Sequence, residues 1–244
     1  MNYVIIIAGG VGSRLGASVP KQFVEVLGKP VIAYTMEHFQ NHPEIDAIEL
    51  VCVDGYQDYL KGITERYGIT KVIKIVTGGS EYERSIMNGV AGLDGIAHPD
   101  DVIMIHWSAS PFLSEDIITD NIRVCKEKGN AMTASYSYLL YGTNDGDCAK
   151  KNINRETFMT LSAPQSFSYK IITDIYKQVE EKNMFDYVEH HTPAIMEELG
   201  IPIYFSKGNH SNIKITTKED VDLFLGYLLA QKYKEDHTDS VKYE

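Results

Sequence analysis

Tyr3-Val4-Ile5-Ile6-Ile7-Ala8 runs straight into Gly9-Gly10-Val11-Gly12-Ser13-Arg14-Leu15-Gly16, and Pro20-Lys21-Gln22-Phe23 follows a few residues later. A β-branched run that ends on glycines reads as a buried strand entering a ligand-binding turn, since open α/β sheets hold ligands outside the carboxyl ends of their strands. Glycines let successive backbone N–H groups close on an anion, and Arg14 and Lys21 place positive charge on either side. The spacing lacks the Gly-Lys-Ser/Thr of a phosphate-binding P-loop, and the dinucleotide pattern Gly-x-Gly-x-x-Gly is not met from Gly10. A glycine-rich turn with two solvated cations is the plainer alternative.

Outward from this turn, short apolar runs at residues 47–53, 71–76, 101–106, 131–136 and 203–205 alternate with helical patterns. Tyr56, Tyr59, Leu60, Ile63 and Tyr67 recur at helical spacing, as do Ile171, Ile172, Ile175, Tyr176 and Val179. Val221, Phe224, Leu225, Leu228 and Leu229 form a third stripe, and all three are expected to face the core. The alternation predicts an α/β protein with a largely parallel sheet. Residues 138–158, centred on Gly142-Thr143-Asn144-Asp145-Gly146, interrupt it and are expected to form a hairpin arm. One domain over residues 1–235 is expected, with 137–160 as the arm and a charged tail that frays, beginning near Lys232 and set apart as 236–244.

The chain has 244 residues, 43% hydrophobic, enough for a sizeable core and against disorder or a coiled coil. Asp+Glu number 34 and Lys+Arg 23, a formal charge of -11, which argues against nucleic acid as a partner. Any phosphorylated ligand must then be held by a few local cations and backbone N–H groups. Cys52, Cys125 and Cys148 are widely spaced and read as free thiols of a reducing compartment. No stretch reads as a signal peptide or a membrane span, so a cytoplasmic protein without a membrane partner is expected.

The segment from Ala8 to Phe23, continuing through Gly28-Lys29-Pro30-Val31, resembles the signature of the cytidylyltransferases that make CDP-linked alcohols. That family includes the 2-C-methyl-D-erythritol 4-phosphate and the ribitol-5-phosphate cytidylyltransferases. Gly78-Gly79 with Ser85-Ile86, His106 with Pro111-Phe112, Pro164-Gln165-Ser166-Phe167, and Asn212-Ile213-Lys214-Ile215-Thr216-Thr217 with Asp220 match in family order. Pro111-Phe112-Leu113 and Pro164-Gln165-Ser166-Phe167 look closer to the ribitol-5-phosphate branch.

The resemblance implies a Rossmann-like nucleotide-diphospho-sugar transferase fold: a mixed, mostly parallel seven-stranded sheet with helices on both faces and a β-hairpin arm. It implies transfer of CMP from CTP to a polyol or sugar phosphate, with release of pyrophosphate and with Mg²⁺ as cofactor. Gly9, Gly10, Gly12 and Arg14 would hold the triphosphate, and Lys21 would bridge the α-phosphate and the departing oxygens. Lys214, expected on a strand, would stabilise the five-coordinate phosphorus from the opposite side and meet the acceptor phosphate. Gly78, Gly79, Ser80 and Ser85 would read the cytosine, Ala8 to Gly10 would exclude a purine, and Ser108 would join the nucleotide site. Arg155 would reach the acceptor phosphate of a partner subunit in a homodimer, with Tyr136, Tyr138 and Tyr141 at the interface. For Lys214 and Arg155 a solvated surface charge is the competing reading, and for Asp220 a helix cap is preferred over a functional role.

Several family positions differ. His-Asp-Ala-x-Arg-Pro appears as His106-Trp107-Ser108-Ala109-Ser110-Pro111, so the aspartate that binds Mg²⁺ in the family is Trp107 and the arginine is Ser110. An indole offers Mg²⁺ no oxygen, and Asp100 and Asp101 start their strand at its far end. Tyr82 stands where the cytosine loop has arginine, the Asp-Thr pair expected near Tyr138-Leu139 is missing, and His190-His191-Thr192 replaces Thr-Asp-Asp. Adjacent histidines on a helix diverge too far to share one ion with His106. Two functions therefore compete: an active cytidylyltransferase with a remodelled acceptor site, resting on Lys21, Lys214 and the glycine turn, and a nucleotide-binding member without turnover, resting on Trp107 and Ser110. The 2-C-methyl-D-erythritol 4-phosphate enzyme itself is a third reading.

Overall fold

All seven residues of β1 (Asn2–Ala8) are buried, because its two faces are both covered. The computed structural model describes residues 1–10, 16 and 19–237. Gly12 and Arg14, expected at the triphosphate, lie outside the described residues, as do residues 238–244.

After β1 come the short β2 (Glu25–Val26) and β3 (Lys29–Pro30), α1 (Val31–Asn41), β4 (Ala47–Cys52), α2 (Gln57–Arg66), β5 (Val72–Thr77), α3 (Tyr82–Gly92) and β6 (Val102–Trp107). Next are α4 (Glu115–Lys128), β7 (Asn130–Ser135), the arm strands β8 (Tyr141–Gly142) and β9 (Asn152–Ile153), and β10 (Thr160–Ser168). The chain ends with α5 (Tyr169–Glu181), α6 (Thr192–Glu198), β11 (Phe205–Lys207) and α7 (Lys218–Asp236).

Seven strands form one sheet in the order β11-β7-β10-β6-β1-β4-β5. Only β10 runs antiparallel to its neighbours; the other pairings are parallel. Side chains alternate across the sheet. Val4 and Ile6 pack with Ile32, Met36 and Phe39 of α1, whereas Tyr3, Ile5 and Ile7 pack with Ile86 and Val90 of α3 and Ile172 and Ile175 of α5. Burial of each such aliphatic side chain contributes roughly 1.5–3 kcal/mol.

Four expectations need correction. The apolar runs mark six of the seven sheet strands and miss β10, whose Ser162, Pro164, Gln165 and Ser166 break the apolar pattern. Pro164 fits inside the sheet because it sits where the register with β7 shifts, between Ser162 and Gln165, so its missing N–H interrupts no regular ladder. Lys214 lies on an extended segment rather than a strand, docked by the Ile215 N–H on the Ala109 carbonyl at 2.8 Å. His190 and His191 precede α6 instead of sharing it, and His191 is its N-cap, with the ring accepting from the Ala194 N–H. Finally, α7 remains helical through Lys232 to Asp236, and only Phe224 of its stripe is fully buried, while Leu229 is exposed. Its start is a capping box in which the Thr217 hydroxyl accepts from the Asp220 N–H and the Asp220 carboxylate accepts from the Thr217 N–H.

The described arm is a small antiparallel hairpin, Tyr141 opposite Ile153 and Gly142 opposite Asn152. No helix among the described residues is long and apolar enough to cross a membrane. Cys52 and Cys125 are buried, Cys148 is exposed, and none is bridged; burial raises the Cys52 thiol to about 11 and the Cys125 thiol to about 12.

Candidate active site

The carboxyl ends of β1, β4, β5 and β6 converge on one cleft of about 660 Å³. Each strand delivers its following loop there: Gly9 and Gly10, Val53 and Asp54, Gly78 to Tyr82, and Ser108 with Ala109. This is the crevice that an open parallel sheet creates at its switch in strand order.

Backbone contact explains two of the glycines. A Cβ on Gly78 would stand 3.3 Å from the Gly9 Cα and 3.1 Å from the Ser85 hydroxyl, so a side chain there would push the loops after β1 and β5 apart by a few tenths of an ångström. The Ser85 hydroxyl donates to the Glu81 carbonyl and accepts from the Gly79 N–H, both at 3.0 Å, which fastens the loop to the first turn of α3. Gln22 is buried and its amide donates to the carbonyls of Ala8 at 2.8 Å and Gly10 at 3.0 Å. It braces the backbone where the chain leaves β1. Ala8 itself is buried and contributes this carbonyl instead of a cleft surface.

Two lysines meet in the cleft from opposite ends of the sequence. Phe23 anchors the turn that carries Lys21, stacking on Tyr56 at 5.3 Å and meeting Tyr59 edge-on at 5.1 Å. The Lys21 ammonium donates to the Ile215 carbonyl at 2.8 Å, one residue beyond Lys214. Ile215 is fully buried among Val31, Phe112 and Phe224, so α7 and the β6 loop lock the segment bearing Lys214. The Lys214 ammonium lies 4.3 Å from the centre of the Trp107 ring and 5.7 Å from that of Tyr82. Ser108 accepts from the Thr35 hydroxyl through its carbonyl at 2.9 Å and also lines the cleft.

Of the residues expected from the sequence, Lys21, Lys214, Gly9, Gly10, Gly78, Gly79, Ser80, Ser85 and Ser108 all line this cleft. Arg155 does not line it; it lies in the arm, exposed, and donates to the Tyr138 carbonyl at 2.8 Å. The sequence reasoning missed Gln22, Asp54, Glu81 and Thr216. Gln22 stood next to Lys21 in the quoted motif, and a buried amide beside a glycine turn was the available signal.

The profile of the 2-C-methyl-D-erythritol 4-phosphate cytidylyltransferase family matches residues 2–229. The chain belongs to this family. It is 38% identical over 225 residues to a ribitol-5-phosphate cytidylyltransferase of Lacticaseibacillus paracasei, covering 92% of this chain and 96% of that one. It is 36% identical over 232 residues to a 2-C-methyl-D-erythritol 4-phosphate cytidylyltransferase of Clostridium botulinum, covering 95% and 98%. Among solved structures it is similar to 4-diphosphocytidyl-2C-methyl-D-erythritol synthase from Anaerococcus prevotii, with a TM-score of 0.78 and 26% identity over 94% of this chain and 96% of that one. The sheet, its helices and the family membership thus agree with the resemblance in the motifs.

The family's aspartate position is where the cytidylyltransferase site of this chain departs furthest. The Trp107 indole N–H donates to the Tyr82 hydroxyl at 2.8 Å, and its ring face is taken by Lys214. Burial, then the neighbouring Glu83 carboxylate, hold the Tyr82 phenol protonated. The cleft carboxylates are Asp54 and Glu81, and Glu81 is paired with His190. No cluster of three His, Cys, Asp or Glu side chains suited to a metal occurs among the described residues. The donor set at Trp107 does not fit a protein-held Mg²⁺, which wants hard oxygen ligands.

Proposed function

We propose that the chain transfers CMP from CTP to an alcohol or sugar phosphate of the ribitol 5-phosphate kind, in a cytoplasmic setting. The observation that carries this is the pair of lysines brought to the glycine turn, Lys21 tethered to the segment that bears Lys214. An oxygen of the acceptor phosphate attacks the α-phosphorus of CTP in line. The bond from that phosphorus to the β-phosphate oxygen breaks, and its electron pair leaves with pyrophosphate. Such a reaction needs positioning and charge stabilisation more than covalent help. Gly9 and Gly10, with Gly12 and Arg14, hold the triphosphate, Lys21 and Lys214 take the charge that builds at the transferred phosphorus, and Gly78 to Ser80 flank the base with Ser85 setting the loop. The resemblance implies Mg²⁺, but the Trp107 position offers it no oxygen ligand, so the step above is carried by the lysines and backbone N–H groups.

CTP is expected to raise the melting temperature more than GTP, and CTP with ribitol 5-phosphate to release pyrophosphate; equal shifts for the two nucleotides would count against the site. Trp107 favours a second reading, a member that binds CTP without turnover. CTP binding with no pyrophosphate from any alcohol phosphate, ribitol 5-phosphate and 2-C-methyl-D-erythritol 4-phosphate included, would establish it.

The arm supports a homodimer. Tyr136, Tyr138, Leu139 and Leu140 are 66%, 72%, 68% and 85% exposed, an apolar group that a lone chain leaves in water. A partner's arm would then bring its Arg155 towards the acceptor. Leu140→Asp is expected to shift the sedimentation equilibrium from dimer towards monomer; an unchanged mass would remove the arm from the interface.

A further inference from the structure

Trp107 closes β6 at the nucleotide cleft with its edge towards Tyr82, to whose hydroxyl the indole N–H donates at 2.8 Å. Its face lies under the Lys214 ammonium, 4.3 Å from the ring centre. A ring face attracts a cation, yet it offers a metal no lone pair. It also leaves the ammonium its full charge, which a carboxylate in the same place would cancel. Lys21 stands alongside, its ammonium on the carbonyl of the residue after Lys214. The carboxylates lie elsewhere. Among the described residues lining the cleft they are Asp54 and Glu81, and Val11 to Ser18 add none by sequence. Glu81 is paired with His190. Asp54 follows β4, on the other side of β1 from β6, and accepts from the Gln57 amide at 3.4 Å.

Resting on the transferase reading, we propose that Lys214, seated on the Trp107 face, takes the place of a protein-held divalent cation at the nucleotide's phosphates, so that the cleft binds metal-free CTP as well as it binds the Mg²⁺ complex. A fixed ammonium offsets the charge of phosphate oxygens through short N–H donation, with no coordination shell to complete. Mg²⁺ carried in on the phosphates finds no oxygen ligand at Trp107 and brings a second positive charge up to Lys214. The ion therefore adds little to the affinity. An aspartate at position 107 would reverse both terms, supplying a hard ligand for the ion and repelling the bare phosphates.

Titration calorimetry of the whole protein with CTP, once in EDTA and once with Mg²⁺ in excess, reads this without turnover. The two Kd values of the native protein are expected to agree within roughly threefold. Trp107→Asp is expected to bind CTP at least about tenfold more weakly in EDTA than with Mg²⁺. Lys214→Met, which tests the cation without touching the indole, is expected to lose about tenfold or more in EDTA and to regain part of it when Mg²⁺ is added. Tightening of the native complex by Mg²⁺ beyond threefold would overturn the proposal, and so would a Lys214→Met loss that is the same in both buffers. Metal-dependent binding of CTP by the native protein would leave the transferase reading standing, whereas no binding of CTP in either buffer would sink that reading and the proposal with it.

Discussion

Lys21→Ala is expected to lower kcat/KM for CTP by about two to three orders of magnitude, the loss typical of removing one preorganised charged donor from a transition state. In the cleft the ammonium donates to the Ile215 carbonyl at 2.8 Å and is carried on the anchored Phe23 turn, so it needs little reorganisation as negative charge gathers on the phosphorus and the departing oxygen. Stability should fall far less than activity, because each net hydrogen bond is worth only about 1 kcal/mol. Lys214→Ala is expected to cost a similar factor, and the double variant less than the product of the two, since Lys21 is bonded to the residue after Lys214. The measurement is pyrophosphate release under single-turnover conditions beside a urea melt. Retention of more than about a tenth of the activity in a well-folded Lys21→Ala protein would remove the lysine from the chemistry.

Much of this machinery is legible in the sequence because it is local. The glycine turn after β1, the Gly78-Gly79 loop and the Lys21 motif each lie within a short stretch, and glycine and lysine point to phosphate chemistry by residue type alone. Long-range pairings are less legible. The contact of Lys21 with Ile215 spans most of the chain, and the burial of Gln22 depends on where the Ala8 and Gly10 carbonyls come to lie. Central β10 escapes the periodicity because its polar residues are used inside: Ser166 donates to Asn121 at 2.5 Å and Gln165 to Thr192. Likewise, the stripe of α7 has the spacing of a core helix, yet the helix buries only Phe224 fully. Trp107 was legible as a departure from the family, but its union with Tyr82 and Lys214 required the folded chain.

The buried Glu49 alone is expected to lower folding stability by about 2 kcal/mol between pH 6.5 and 8, at roughly 1.4 kcal/mol per pH unit, and Glu49→Gln to remove that share of the fall. Glu49 is 1% exposed in the middle of β4, and neither carboxylate oxygen has a hydrogen-bond partner among the described residues. It packs so closely on α3 that a Cβ on Gly92 would overlap it. Burial pushes its carboxyl up from the ordinary 4.5 to about 8, against the pull of Lys74, whose ammonium donates to the Gly92 carbonyl at 2.7 Å. Between these two values the folded chain keeps a proton that the unfolded chain has lost, so stability declines as pH rises. His106 has the opposite sign: burial lowers it from 6.5 to about 4, and the folded chain lacks a proton that the unfolded chain carries in that window. Its contribution therefore weakens as pH falls below 6.5, which opposes Glu49 between about 4.5 and 6.5, whereas above that window Glu83, raised by burial, and His190, raised by its bond to the Phe185 carbonyl, act in the same direction as Glu49. Urea melts at pH 5, 6.5 and 8 on the native protein, Glu49→Gln and the apolar Glu49→Met resolve the two. Parallel declines above pH 6.5 in native and variant proteins would show that some other group, and not the buried carboxyl of β4, sets the alkaline limit.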